Sequence, residues 1–568
     1  MKKFNFILFF MLLTLSLHAK PIAKVIGNWE YSKKGTDIKS LTIQQVSLSS
    51  NNISSFFINS GIFDQNRLAS NSPGFEWPIG SNHDACFTAG LSIGTKIEGI
   101  LKEASCSYIG EYGPGYIDNS GGIPIAITNS DFKLYKILST DNAGSNPDYA
   151  NWYKMVPYGA PYIDLNNNGQ YDNGIDKPGI KNSSSTIFAC LTDGFPANHF
   201  SAEGFGGGTS PIFCEMHLTA WAYNTGGMED VQFIKWTLIN KNINTWDSLY
   251  LGIVADPDLG NGGDDYIGCD TLKNLGYCYN ADNNDDPDIH SYGANPPAFG
   301  IDILKGPENK IITPSQTIGL TSFDFFSNLS SGGPACETDP NPNAAGAYNY
   351  LRGYKLDGSP WLNPATLSSQ SLPLTKFCYP GDPEQNTGWT ERTGSVHNCN
   401  GVVGPVIGVN PPGDRRFVMG MGKDDFQMNS NDTQSVVIAQ MVARGTNNFN
   451  SVTKLKQLDA AVKSFYAANV PVNHISSEIS NSFTLSQNYP NPFNPDTKIS
   501  YSLNHSGEVS LKVYDAEGKY IETLKNGFSE AGTYSVKWNG SDYSSGIYFY
   551  VLQTSTGFTE TKKMLLIK

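Results

Sequence analysis

The stretch of this sequence best suited to hold a ligand is 162–179. Asp164, Asn166 and Asn168 are spaced by two, Gly169 follows, and Asp172 stands four beyond Asn168. That is the oxygen spacing of a calcium loop, with glycine at the sharp turn and the Gln170 carbonyl as a further donor. A hard cation takes six to eight oxygens, and alternate residues on a tight loop turn theirs inward. Ile175 occupies the position where such a loop carries a bidentate Glu, so Asp176 is the expected substitute. Pro161 and Pro178 bracket the stretch and exclude flanking helices. The expectation is an isolated loop in which Asp164, Asn166, Asn168, Gln170, Asp172 and Asp176 bind calcium weakly, at Kd on the order of 0.1–1 mM. The bland alternative is a run of Asx turns needing no metal.

A second acidic stretch begins at Asp256-Pro257-Asp258 and continues through Asp264, Asp265 and Asp270 to Asp282, Asp285, Asp286 and Asp288. Carboxylates this dense repel one another unless they are solvated or neutralised. Asp256, Asp258, Asp264 and Asp265 form a second possible metal site, and a solvated acidic rim is the safer reading. His217 and Glu215, two apart on a predicted strand, face the same side but lack a third metal ligand that the sequence can name. Glu76 beside Trp77 reads as a surface acid next to a core tryptophan rather than a sugar platform.

Signatures of catalysis are missing. There is no H-E-x-x-H, no G-x-S-x-G and no G-x-x-x-x-G-K-[ST]. The glycine-rich run 204–208 lacks the lysine of a phosphate loop and reads as a flexible loop. Outside the leader, His83, His199, His217, His290, His397, His474 and His505 share no metal-ligand spacing. No catalytic residue is assigned, and the balance leans away from an enzyme, although paired carboxylates for glycoside cleavage leave no sequence signature.

Composition narrows the setting. Charged residues make up 16% of the 568, while Gly (57), Pro (32) and Tyr (29) are abundant, as in loop-rich extracellular β structure. A net charge of −14 with no basic stripe opposes nucleic-acid binding. Lys2-Lys3, an apolar run to Leu17 and a small residue at Ala19 make a secretory leader too short to span a bilayer. No later stretch approaches spanning length. None of the nine cysteines forms a C-x-x-C pair. In an oxidising exterior, sequence neighbours suggest disulfides 86–106, 190–214, 269–278 and 378–399, leaving Cys336 odd.

Alternating apolar residues predict strands at 87–93, 214–222, 231–239, 249–255 and from 432 onward. One amphipathic helix is expected, capped at Ser451 and burying Val452, Leu455, Leu458, Val462 and Phe465. In the last eighty-odd residues, strands around Ile499, Val509, Tyr534 and Ile547 alternate with turn compositions, after a proline-rich lead-in at 489–495. Six or seven such strands make an antiparallel sandwich. The fold class is mainly β. The expected order is a leader (1–19), a β-rich region with the calcium loop (20–205), a sandwich region closed by the helix (206–470), a linker (471–482) and a C-terminal sandwich (483–568).

The wording of the C-terminal strands is distinctive. Tyr489-Pro490-Asn491-Pro492-Phe493-Asn494-Pro495, Val513-Tyr514-Asp515, Gly532-Thr533-Tyr534, Ser545-Gly546-Ile547-Tyr548-Phe549-Tyr550 and the closing Lys562-Lys563-Met564-Leu565-Leu566-Ile567-Lys568 resemble the type A sorting domain of type IX secretion cargo. The resemblance covers 483–568. It implies an immunoglobulin-like domain read by the outer-membrane translocon, and often cut away as the cargo is anchored to surface lipopolysaccharide or released. Pro73-Gly74-Phe75-Glu76-Trp77-Pro78, Gly159-Ala160-Pro161-Tyr162-Ile163-Asp164, Asp256-Pro257-Asp258-Leu259-Gly260, Asp414-Arg415-Arg416-Phe417 and Ser451-Val452 resemble a functionally uncharacterised group of secreted Bacteroidetes-lineage proteins, a likeness that carries no activity. The expectation is therefore a secreted or cell-surface protein with a non-catalytic adhesion or surface-binding role, surface lipopolysaccharide or glycan being the candidate partners, and the alternative being a secreted hydrolase of polysaccharide or protein.

Overall fold

Two antiparallel sheets share the main core. In a computed structural model, the protein is described at residues 42–568 except 70–71, 167, 169, 202, 310–315, 329–332, 365–371, 405, 408, 470–473, 477–483, 504–506, 530–531 and 555–557. The predicted leader and most of the predicted linker lie outside the described residues. A nine-stranded sheet runs Tyr135–Leu138, Ser185–Thr192, Cys214–Ala222, Val231–Asn240, Thr433–Ala443, Ala298–Lys305, Leu275–Asn280, Asp265–Asp270, with Gly113–Pro114 paired beside Ser185–Thr192. A five-stranded sheet runs Ser322–Ser327, Arg415–Gly422, Asp247–Asp256, Thr88–Ile97, Ile100–Ala104. Strands from both sides of residue 205 pair within each sheet, so no domain boundary falls there. Pairing partners far apart in sequence cannot be read from local periodicity.

Alternation explains which residues meet. Along Val231–Asn240, Ile234, Trp236 and Leu238 enter the core shared with Leu251, Ile253, Phe417 and Met419 of the smaller sheet. Val231 and Phe233 point the other way, under the helix Asn448–Asn469. Val452, Leu455 and Val462 of that helix are buried to 1% exposure or less, worth about 1.5–3 kcal/mol each. The helix begins three residues before the expected cap: Asn447 Oδ1 accepts from Asn450 N, while the Ser451 hydroxyl donates to Pro296 O.

Two sequence expectations are corrected in the body. The disulfide is Cys336–Cys399, with Cα atoms 5.4 Å apart, and the remaining seven cysteines are free and buried. Adjacent strands do not guarantee facing thiols. Cys269 lies opposite Gly276 and Cys278 opposite Ile267. Cys190 and Cys214 belong to different cores on opposite faces of their sheet. The 204–208 run, expected to flex, is held down. Gly207 N donates to Glu103 Oε2 (3.1 Å) and Gly208 N to Glu111 Oε1 (3.1 Å), at positive φ that glycine tolerates. Beneath it Glu203 accepts from the amides of Ser107, Gly110 and Phe205 and from the hydroxyls of Ser105 and Ser107. Glu103, Glu111 and Glu203 are all essentially unexposed.

The C-terminal sandwich has two four-stranded sheets, His474–Ser476, Gly532–Asn539, Asp496–Leu503, Thr484–Leu485 and Tyr520–Ser529, Gly507–Asp515, Gly546–Thr554, Thr559–Leu566. The strand 474–476 falls inside the predicted linker. The lead-in and the final strand bind each other. Phe493 N donates to Leu565 O, Ile567 N to Phe493 O, and Leu565 N to Asn491 Oδ1. Phe493 then packs on Trp538, ring centroids 5.5 Å apart.

Candidate functional site

A pocket of about 380 Å³ opens at one end of the five-stranded sheet, within the roughly 300–1,000 Å³ span of small-molecule sites. Its walls come from short segments that local chemistry fixes in place. Glu391 begins a 3-10 turn, Glu391–Thr393, closed by a reciprocal Thr390/Thr393 capping box. Glu337 ends the turn Ala335–Glu337, and His397 precedes Cys399, so the disulfide staples these two walls together. Asp414 and Arg415 lead into the strand Arg415–Gly422, and Ser327, Ser395, Asn410 and Phe325 complete the lining.

Both pocket glutamates are paired. The Glu337 Oε1 atom lies 2.5 Å from the Lys355 ammonium and 3.3 Å from His397 Nδ1. Lys355 has no exposed surface and stands over Trp361 at 4.6 Å. Burial works against ionisation of Glu337, yet the His397 hydrogen bond and the Lys355 charge hold its carboxyl below the ordinary range. Glu391 Oε1 accepts from Arg415 Nε (2.8 Å) and Oε2 from Ile267 N (2.8 Å). There burial wins over Arg415, and the carboxyl is raised. The neutral groups are linked as well: Ser395 Oγ donates to Asn410 Oδ1 (2.7 Å) and Asn410 Nδ2 to Tyr379 Oη (3.0 Å).

Asp414 joins the pocket to an acidic triad. Donor oxygens of Asp256, Asp258 and Asp414 lie within 4.8 Å of one another. Arg416 supplies the counter-charge, Nη2 at 3.2 Å from Asp256 Oδ2 and Nη1 at 2.8 Å from Asp414 Oδ1. Tyr108 donates to Asp256 Oδ2 (2.5 Å) and accepts from Arg416 Nε (2.6 Å). Burial, opposed by Arg416, pushes Asp256 up to about 7. Of the four acids grouped in sequence, Asp256 and Asp258 enter this triad; Asp264 and Asp265 do not. Asp264 Oδ2 accepts from Asp286 N, and the buried Asp265 accepts from Leu259 N. The acidic rim is solvated only in part: Asp282, Asp286 and Asp288 are exposed, whereas Asp256, Asp265 and Asp285 are buried.

The 162–179 stretch forms a hairpin, Tyr162–Ile163 paired with Lys177–Pro178. Within it Asn168 N bonds Asp164 Oδ1 (3.3 Å), and Gln170 N bonds Asn168 Oδ1 (2.8 Å). Asn166 and Asn168 both turn their amide NH2 groups to Asp172 Oδ2, at 2.7 and 2.5 Å. Asp176, 3% exposed, caps the amides of Leu165 and Asp172. Elsewhere Glu76 caps Asn82 N, and Trp77, 9% exposed, donates to Asp230.

Sequence reasoning missed Glu337, Lys355, Glu391, His397 and Arg415 as a group. They come from separate segments between residues 337 and 415 with no spacing in common. The only signal was the pair Arg415-Arg416 in a chain with few cations.

Comparison with known proteins bears on one end of the chain. Residues 487–568 match the family described as a secretion system C-terminal sorting domain. The chain therefore carries the address of type IX cargo, exported to the cell surface or the extracellular space. Among the described residues no helix is long and apolar enough to cross a membrane. No curated protein matches the sequence. Among solved structures, a polysaccharide lyase aligns at 8% identity over 62% of this chain and 34% of its own, with a TM-score of 0.16. Dimeric latent PorU from Porphyromonas gingivalis aligns at 8% identity over 67% and 31%, TM-score 0.14. A β-glucuronidase from Lactobacillus rhamnosus aligns at 12% identity over 31% and 30%, TM-score 0.10. The chain spans about a third of each, and at these scores none bears on the site.

Proposed function

We propose that this is a type IX cargo whose body binds a polar, hydroxyl-rich ligand of the saccharide class outside the cell, without turning it over. The observation that carries the reading is the pairing of both pocket glutamates. A glycoside-cleaving pair must present one carboxyl as acid and one as base or nucleophile to the substrate; here Glu391 has both oxygens turned to Arg415 and Ile267 N, and Glu337 lies between Lys355 and His397. Among the polar side chains of the lining, those of His397 and Asp414 keep partial exposure toward a ligand, beside Phe325. Every described tryptophan is buried, so recognition rests on polar contacts rather than an exposed stacking platform. Surface polymers, lipopolysaccharide among them, are the ligands that such an address makes available. The test is calorimetry of the purified chain against neutral and acidic oligosaccharides, alongside a turnover assay on glycans and casein. Binding weakened about tenfold by His397→Ala, without turnover, supports the reading; turnover of any substrate, or no binding by wild type, overturns it.

The hydrolase alternative draws on a single contrast, the raised Glu391 against the lowered Glu337, since opposite displacement is how one site separates acid from base. Turnover abolished by Glu391→Gln with folding intact would establish it.

Calcium at Asp164, Asn166, Asn168, Gln170, Asp172 and Asp176 is part of the proposal. Two amide groups converge on one Asp172 oxygen, the place a cation would take. Calcium is expected to raise the melting temperature of wild type and not of an Asp164→Ala, Asp172→Ala double variant; an equal rise in both removes the loop from consideration.

A further inference from the structure

A separate group of donors lies on the face of the nine-stranded sheet turned away from the main core. Cys190 is the direct cross-strand partner of His217, and Glu215 stands two residues before His217, hence on the same face. The Cys190 thiol, a Glu215 oxygen and a His217 ring nitrogen all lie within 4.8 Å of one another. His217 Nε2 is 2.9 Å from Glu215 Oε1, with side-chain exposures of 12% and 6%. Cys190 is fully buried.

The chain crossing over this face fixes the group. Cys190 Sγ donates to Gly115 O (3.2 Å), and Ile117 N donates to Glu215 Oε2 (3.0 Å). Gly159, at φ +86°, passes so near the ring that a Cβ there would sit 2.4 Å from His217 Nδ1. Backbone contact therefore sets the plane of the imidazole and leaves Nε2 pointing at Glu215.

We propose that Cys190, Glu215 and His217 form a transition-metal site of the zinc class. One thiolate, one imidazole and one carboxylate are the donor types such an ion takes, and three protein ligands leave a fourth position open. His217 is the most exposed of the three, so that position lies toward solvent. Binding replaces the thiol proton, released to water, and the hydrogen bonds to Gly115 O and between His217 and Glu215 give way to bonds to the ion. With thiolate and carboxylate ionised and the imidazole neutral, the three donors total −2, which attracts a divalent cation.

Cobalt is the probe, because a thiolate bound to Co2+ gives a charge-transfer absorption that oxygen and nitrogen ligands do not. Titration of the full chain is expected to produce that band at one equivalent, removed by Zn2+. Cys190→Ser is expected to abolish the band with the melting temperature of the metal-free chain little changed, and His217→Ala to weaken Co2+ binding tenfold or more. Cys214→Ser, in the opposite core, is expected to keep the band. No band in wild type overturns the site, as does a band that survives Cys190→Ser or vanishes in Cys214→Ser. Should Cys190→Ser fail to fold, Glu215→Gln decides instead: a tenfold loss of affinity supports the site and unchanged affinity removes it.

Discussion

The body and the C-terminal sandwich bury different kinds of groups. At the centre of the C-terminal sandwich are Ile499, Tyr501, Leu511, Val513, Tyr550, Leu552 and Leu566, and its buried polar residues among those described are Asn488, Thr497 and Ser529. The body instead encloses Glu103, Glu111, Asp193, Glu203, Lys355 and Glu391 at 1% exposure or less. A buried charge is stable only while its partners are present, whereas an apolar core tolerates loss of contacts gradually. The sandwich is thus held by apolar area, while the body adds buried ionic complementarity to apolar cores of its own, and the two should fail differently.

The largest difference is expected at Glu203. Glu203→Ala strands the amides of Ser107, Gly110 and Phe205. At about 1–3 kcal/mol for each of these three buried donors, the loss is about 3–9 kcal/mol, read as a lowered urea midpoint of the body. Next comes Trp538→Ala in the sandwich, where removing a side chain 1% exposed costs about 3–5 kcal/mol. Hydrogen exchange should then accelerate across 484–568 and nowhere in 43–469; acceleration in the body would break the contrast. Loss of the staple in a Cys336→Ser, Cys399→Ser variant, closing 63 residues, is expected to cost about 2–5 kcal/mol and to speed exchange in the pocket walls first.

The two regions should also differ in their response to pH. Burial, against the pull of His199, raises the Glu111 carboxyl from 4.5 to about 8. Burial, against His290, raises Asp84 from 3.8 to about 6. A carboxyl that holds its proton more tightly in the folded chain stabilises it below the unfolded value and loses that contribution as pH rises through the folded one. The body should therefore lose stability between about pH 4 and 8, followed by melting temperature. The sandwich, which buries no carboxyl among its described residues, should show no such loss; a parallel fall in both would end the distinction.

The same contrast explains what could be read from sequence. Strands 214–222 and 231–239, the buried face of the helix and the C-terminal strands were legible because period-two and period-3.6 patterns are local. The helix start was missed because Asn447 caps it while Ser451 serves Pro296. The pocket was illegible because Glu337, Glu391 and Arg415 acquire meaning only through partners supplied by other strands. Cysteine pairing failed for the same reason: register and face, not proximity along the chain, decide which thiols meet. Glu215 and His217 were visible as a pair, and only the neighbouring strand could supply Cys190.

One contact in the C-terminal sandwich joins its first and last segments. Residues 491–493 lie along 565–567 through backbone bonds of Phe493 and the Asn491 amide oxygen. Whatever loosens the final strand Thr559–Leu566 therefore also frees the proline-rich lead-in that carries the recognisable wording.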